Sequence, residues 1–90
     1  MMRFKASKTP NPNAMKFTAD RPLFSGRIEI TENSAPDSLL LMNLMAINGI
    51  ERLFGYNDFL TVSKLPSADW DQLIPQIETV LEKMTDTKNQ

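Results

Sequence analysis

The chain has 90 residues, 41% of them apolar, with a formal net charge of −1 and neither cysteine nor histidine. That length makes one domain with a small core. The missing side chains exclude disulfides, thiolate nucleophiles, zinc fingers, Cys-held iron–sulfur clusters and the usual imidazole base. Leu, Ile, Val and Phe make up about a quarter of the residues, more than disordered chains carry, so the chain is expected to fold. The longest nearly apolar stretch, Leu39 to Ile47, is broken by Asn43 and falls far short of the ~20 residues that span a bilayer. The start, Met1 to Lys5, lacks the apolar core of a signal peptide, and a soluble cytoplasmic protein is expected.

Residues 3–7 alternate polar and apolar and read as a strand. In Thr9-Pro10-Asn11-Pro12-Asn13, two prolines fix φ and bias Thr9 and Asn11 away from helix, and the asparagines can bond their own backbone. A stiff loop follows from this. Residues 14–18 resume the alternation with Met15 and Phe17 on one face. Asp20-Arg21-Pro22 reads as a turn, and residues 27–31 form a third strand with Ile28 and Ile30 inward. Ser34-Ala35-Pro36-Asp37 has the chemistry of a helix start, with Ser34 the better cap. Leu40, Leu44 and Ile47 form the helix stripe, and Asn48-Gly49 stops it. Residues 50–54 and 58–64 pair as a hairpin around Gly55-Tyr56-Asn57-Asp58, with Leu60 and Val62 on one face and Phe59, Thr61 and Ser63 on the other. Leu65-Pro66-Ser67 breaks that strand. Trp70, Leu73, Ile74, Ile77, Leu81 and Met84 then recur at helical spacing. Pro75 interrupts this pattern, which predicts a separate turn at 69–73 and a regular helix after the proline. Residues 85–90 are polar and should fray.

The order is βββαββα. Two amphipathic helices need one sheet face to bury against, which predicts a two-layer α+β domain with a mostly antiparallel sheet of four to five strands and both helices on one face. Residues 1–86 are read as a single domain and 87–90 as a disordered tail.

These residues resemble a known family. Thr9-Pro10-Asn11-Pro12-Asn13-Ala14-Met15-Lys16-Phe17 looks like the opening signature T-P-N-P-N-(A/S)-(L/M)-K-F of the Nfu/NifU-type N-terminal domain of iron–sulfur cluster scaffold proteins. Ala35-Pro36 stands where that family has Ser-Pro before a Leu-rich helix, and Ile47-Asn48-Gly49-Ile50 is similar to its I-x-G-V. Residues 58–64 resemble its D-F-I-T-V-T-K, and Asp69-Trp70, Leu73 and Pro75-Gln76-Ile77 its D-W-x-x-L-x-P-x-I. There are two departures. The C-x-x-C of the family's second domain, which holds the cluster, has no counterpart here, so the chain resembles a stand-alone N-terminal domain and the cluster chemistry does not carry over. Gly55 stands one position before the hairpin glycine of the family, whose place Tyr56 takes. The resemblance implies participation in iron–sulfur assembly by docking a scaffold, a carrier or an apo-target, with any iron contact weak and made through oxygen.

Residues 1–27 carry +5 and residues 28–90 carry −6. A basic N-terminal segment suits an acidic partner or a phosphate, although lysines on strands and loops ordinarily serve as solvated positions. An acidic domain without a basic helix is not expected to bind nucleic acid. Candidate binding residues are Lys8, Thr9, Asn11, Asn13 and Lys16 around the loop, and Asp58 and Phe59 at the hairpin. For the loop, a polar recognition surface competes with an economical turn. For Phe59, an exposed contact competes with packing. The arc of the first helix is wider than one buried face needs, so Leu39, Met42 or Met45 are candidates for an adaptable exposed contact, against burial between sheet and second helix. The carboxylate pairs Asp69/Asp71 and Glu78/Glu82 read as helix-start and solvated charges, and no metal site or catalytic constellation is expected. The reading is therefore a non-enzymatic, monomeric binding module of iron–sulfur assembly. A peptide- or phosphopeptide-binding adaptor unrelated to iron is the alternative.

Overall fold

A computed structural model describes residues 4–31 and 38–85, with side chains as far as Lys83. The element order is β1 (Phe4–Lys8), β2 (Ala14–Ala19), β3 (Ile28–Thr31), α1 (Leu39–Met45), β4 (Ile50–Tyr56), β5 (Phe59–Lys64) and α2 (Trp70–Thr85). The five strands form one sheet in the order β1-β2-β5-β4-β3, and every neighbouring pair is antiparallel. The α+β class, the element order and the two-layer plan match the expectation from the sequence.

The alternation read in the strands becomes the two faces of the sheet. Phe17, Leu53, Leu60 and Val62 are sealed from solvent and form one cluster with Leu41 and Leu44 of α1 and Leu73, Ile77 and Leu81 of α2. Burying each such side chain contributes about 1.5–3 kcal/mol. The apolar stripes of α1 and α2 therefore seat both helices on one sheet face.

Three local features differ from the sequence reading. First, α1 is capped by Ser38, whose backbone is extended and whose Oγ accepts from Leu41 N–H at 3.5 Å. Ser34, Ala35, Pro36 and Asp37 lie outside the described residues. Second, α2 starts at Trp70 and runs through Pro75 without a separate turn. Asp69 is its cap, with Oδ1 accepting from Asp71 N–H at 3.0 Å. Pro75 is tolerated because it falls in the second turn on the exposed side, so the only bond it deletes is to the Asp71 carbonyl, at an exposed residue that water can reach. Third, the hairpin is tighter than expected. Tyr56 pairs with Phe59, which leaves Asn57-Asp58 as a two-residue turn with Asn57 at φ 55.

Gly55 is consequently in the strand. A Cβ there would stand 2.5 Å from Cε2 of Phe24, so the missing side chain makes room for that ring. Gly49 ends the α1 region as the sequence suggested, with φ +105. β4 also carries a bulge at Glu51, between the pairs Ile50–Lys64 and Arg52–Ser63. The extra residue puts Ile50 and Leu53 on the core side and Arg52 on the other.

Candidate docking surfaces

The residues singled out in the sequence fall into two places. Lys8, Thr9, Asn11 and Asn13 lie at the β1–β2 corner. Lys16 and Phe59 lie together on the sheet face away from the helices, and Asp58 stands in the hairpin turn at the end of that face.

At the corner, Thr9 Oγ1 and the side-chain oxygens of Asn11 and Asn13 bond to the protein itself. Thr9 Oγ1 lies 2.9 Å from the Asn11 carbonyl and 3.0 Å from the Ala14 carbonyl, and accepts from Asn11 N–H at 3.1 Å. Asn11 Oδ1 accepts from Asn13 N–H at 2.9 Å, which is an Asx turn. The Asn11 carbonyl also accepts from Ala14 N–H at 3.0 Å. Two residues that sequence reasoning did not select then pin the loop to the rest of the fold. Lys64 is 93% buried, and its Nζ donates to Asn13 Oδ1 at 3.0 Å and to the Leu65 carbonyl at 3.3 Å. Its ammonium also sits 5.9 Å from the centre of the Trp70 ring. Trp70 Nε1 in turn donates to the Pro12 carbonyl at 2.9 Å. The surface left beside the loop is largely apolar. Pro10, Pro12, Met15 and Trp70, with Lys8, line a cavity of about 360 Å³.

The open face follows from the ladders. One row reads Ser7, Lys16, Thr61, Phe54, Glu29; the next reads Lys5, Thr18, Phe59, Tyr56; a third reads Ala14, Ser63, Arg52, Thr31. Most of this is the polar outer face that an antiparallel sheet ordinarily shows to water. Three aromatic rings interrupt it. Phe54 and Phe59 have centroids 6.0 Å apart, and Tyr56 meets Phe59 edge-on at 6.4 Å. The Lys16 ammonium lies 4.6 Å above the Phe59 ring. Such a contact is worth about 0.5–1 kcal/mol at an exposed site. Tyr56 is 52% exposed, and the two phenylalanines are half-buried. Phe54 and Tyr56 were not singled out in the sequence. Their spacing of two in the strand opposite Phe59 was the available signal.

On the helix side, Leu39 and Met42 are exposed while Leu41 and Leu44 are buried and Met45 is half-buried, so the wide apolar arc of α1 does leave side chains uncovered. Among the described residues no three acidic side chains gather to hold a metal ion, and no helix is long and apolar enough to cross a membrane.

The model of the family described as scaffold protein Nfu/NifU N terminal matches residues 4–88. The chain belongs to that family. Its relatives include NifU-like protein 5, mitochondrial, of Arabidopsis thaliana, 34% identical over 82 residues that make up 89% of this chain and 30% of the plant protein. Conserved virulence factor C of Staphylococcus aureus is 34% identical over 78% of this chain and 19% of its own length. This Nfu/NifU domain thus spans less than a third of the curated relatives it matches. Among solved structures, a NifU-like protein from Saccharomyces cerevisiae superposes with a TM-score of 0.78 at 30% identity, covering 91% of this chain and 76% of that one. The crystal structure of SAV1430 from Staphylococcus aureus gives 0.75 at 26% identity, covering 87% and 95%.

Proposed function

We propose that this Nfu/NifU N-terminal domain is a non-enzymatic docking module of iron–sulfur cluster assembly. The observation that carries the reading is the family match across nearly the whole chain. Without cysteine or histidine the 90 residues offer a cluster no sulfur or imidazole ligand, so their contribution is to bring proteins together. The partners are a scaffold, a carrier or an apo-target, and any iron contact is weak and made through oxygen. Lys8, Thr9, Asn11, Asn13, Lys16, Asp58 and Phe59 are the candidate contacts, with the domain acting as a cytoplasmic monomer.

The test is affinity capture with tagged protein from iron-replete and iron-starved cells, read by mass spectrometry. Enrichment of cluster-assembly proteins or apo-targets that responds to iron is the expected result. Enrichment of unrelated proteins, unchanged by iron, would overturn the reading and favour an adaptor of another pathway.

A further inference from the structure

The open sheet face is not built only for water. A solvated antiparallel face needs hydroxyls and charges, and Thr18, Thr61, Ser63 and Ser7 supply them. Phe54 and Phe59 have no polar atom to present, yet they stand side by side with Tyr56 on that face. Clustered aromatic rings next to arginine are the composition of interface centres, whereas isolated surface aromatics are ordinary.

The charges around the rings say what kind of partner fits. Among the described residues of the face, Lys5, Lys16 and Arg52 lie in the three rows against Glu29, with Asp58 in the turn at its end, so cations outnumber carboxylates. The rim is therefore cationic although the chain carries a net charge of −1. A second copy of this chain matches poorly. Two such faces repel, and the acidic outer side of α2, with Asp71, Glu78 and Glu82 exposed, keeps its apolar stripe of Leu73, Ile77 and Leu81 buried.

We infer that the open face docks an acidic amphipathic surface of a partner protein, with one or two apolar side chains on Phe54, Tyr56 and Phe59 and carboxylates opposite Lys5, Lys16 and Arg52. The inference deepens the docking reading above and rests on its docking part, not on iron. Opposite charge on the rim speeds encounter and fixes register, while the rings supply the desolvated centre. Lys16 serves both, since its ammonium covers Phe59 in the free domain and is in place to meet a carboxylate.

The experiment places the photo-crosslinker p-benzoylphenylalanine at position 56 of the full chain in its own cells, and at position 82 on the outer side of α2 as a control. Crosslinked peptides are then mapped. The expected result is crosslinking from position 56 to peptides in which Asp and Glu flank apolar residues. The pair Lys16→Glu and Arg52→Glu should lower that yield about tenfold, far more than the fall of about 2–8 °C in melting temperature expected from losing the Lys16–Phe59 contact can explain, and raised salt should lower the yield too. The neutral pair Lys16→Gln and Arg52→Gln gives a smaller loss in the same direction and covers the case where charge reversal disturbs folding. Yield that is indifferent to these changes, crosslinks no stronger than from position 82, or crosslinks confined to a second copy would overturn the inference. If the acidic partners have no connection with iron–sulfur assembly, the docking face stands and the proposed pathway falls. If iron-responsive capture survives charge reversal, the pathway stands and the docking face falls.

Discussion

The β1–β2 corner and the open sheet face are built on opposite plans. At the corner, Thr9, Asn11, Asn13, Lys64 and Trp70 direct their polar atoms at one another or at nearby backbone. On the open face, the rings of Phe54, Tyr56 and Phe59 touch one another and one lysine. The corner holds the stretch of sequence that is easiest to recognise, and its side chains explain that stretch as architecture. The face is assembled from residues on different strands: Lys16 and Phe59 belong to the recognised motifs, whereas Phe54, Tyr56 and Arg52 do not. Part of the recognisable motif therefore marks where the fold is demanding, and part of it reaches the open face. If that contrast is right, substitutions at the corner change stability, and substitutions on the face change binding.

The sharpest way to break the contrast is Lys64→Ala. The change removes a buried stem and leaves Asn13 Oδ1 without its ammonium donor. It should cost about 2–3 kcal/mol in urea unfolding. A loss under about 0.5 kcal/mol would mean that the loop holds its shape without the latch. Asn13→Ala leaves the buried ammonium with only the Leu65 carbonyl and should cost about 1–3 kcal/mol. A double-mutant cycle on the two positions should show coupling of at least about 0.5 kcal/mol, since they share one bond. Trp70→Phe keeps most of the ring and loses one hydrogen bond to the exposed Pro12. Its cost should be nearer about 1 kcal/mol, because water replaces the lost donor.

These same residues show how far the sequence could be read. Strand alternation and helical periodicity act over a few residues, so the strands, helix α2, the inward set of Leu60 and Val62, and the Gly49 stop were all legible. The Lys64–Asn13 bond joins residues 51 apart, and the Trp70–Pro12 bond joins residues 58 apart. No local pattern reports such pairs: alternation puts Lys64 on the inward face with Leu60 and Val62, but nothing nearby says that its ammonium will find Asn13 there. Gly55 reads as a turn residue because glycine is frequent in turns, but it lies in β4. Its actual role depends on Phe24, far away in sequence, needing the space. Pro75 suggests a break because a proline removes one backbone bond and crowds the carbonyl four residues back, yet here that carbonyl lies at an exposed residue and the helix runs on.

On the open face, Phe59→Thr keeps a residue that suits a strand and removes the centre of the ring cluster. The expected loss of stability is about 1 kcal/mol, made up of the ring contacts and the Lys16 stacking. Loss of position-56 crosslinking should be far larger than so small a destabilisation can account for. A variant that unfolds as readily as Lys64→Ala would show that the rings are needed to hold the sheet together, and would bring the face under the same rule as the corner.

The smallest expected effect is at Asn57. Its φ of 55 is one that asparagine tolerates and glycine takes freely, so Asn57→Gly relieves a little strain while loosening the unfolded chain. The turn is also held from outside, because the Asn57 carbonyl accepts from Leu23 N–H at 2.6 Å and Phe24 N–H at 3.0 Å. With the backbone already clamped, the net change should stay within about 0.5 kcal/mol. Asn57→Val, which resists positive φ, should cost more than about 1 kcal/mol. The pair sharpens the contrast because the turn aligns Tyr56 with Phe59 and lies at the opposite end of β5 from Lys64. Trp70 is the only tryptophan and reports on the corner by fluorescence. Asn57→Val should therefore disturb crosslinking at position 56 while native-state Trp70 fluorescence stays unchanged. A shift in that fluorescence would show that the corner and the face respond as one cooperative unit.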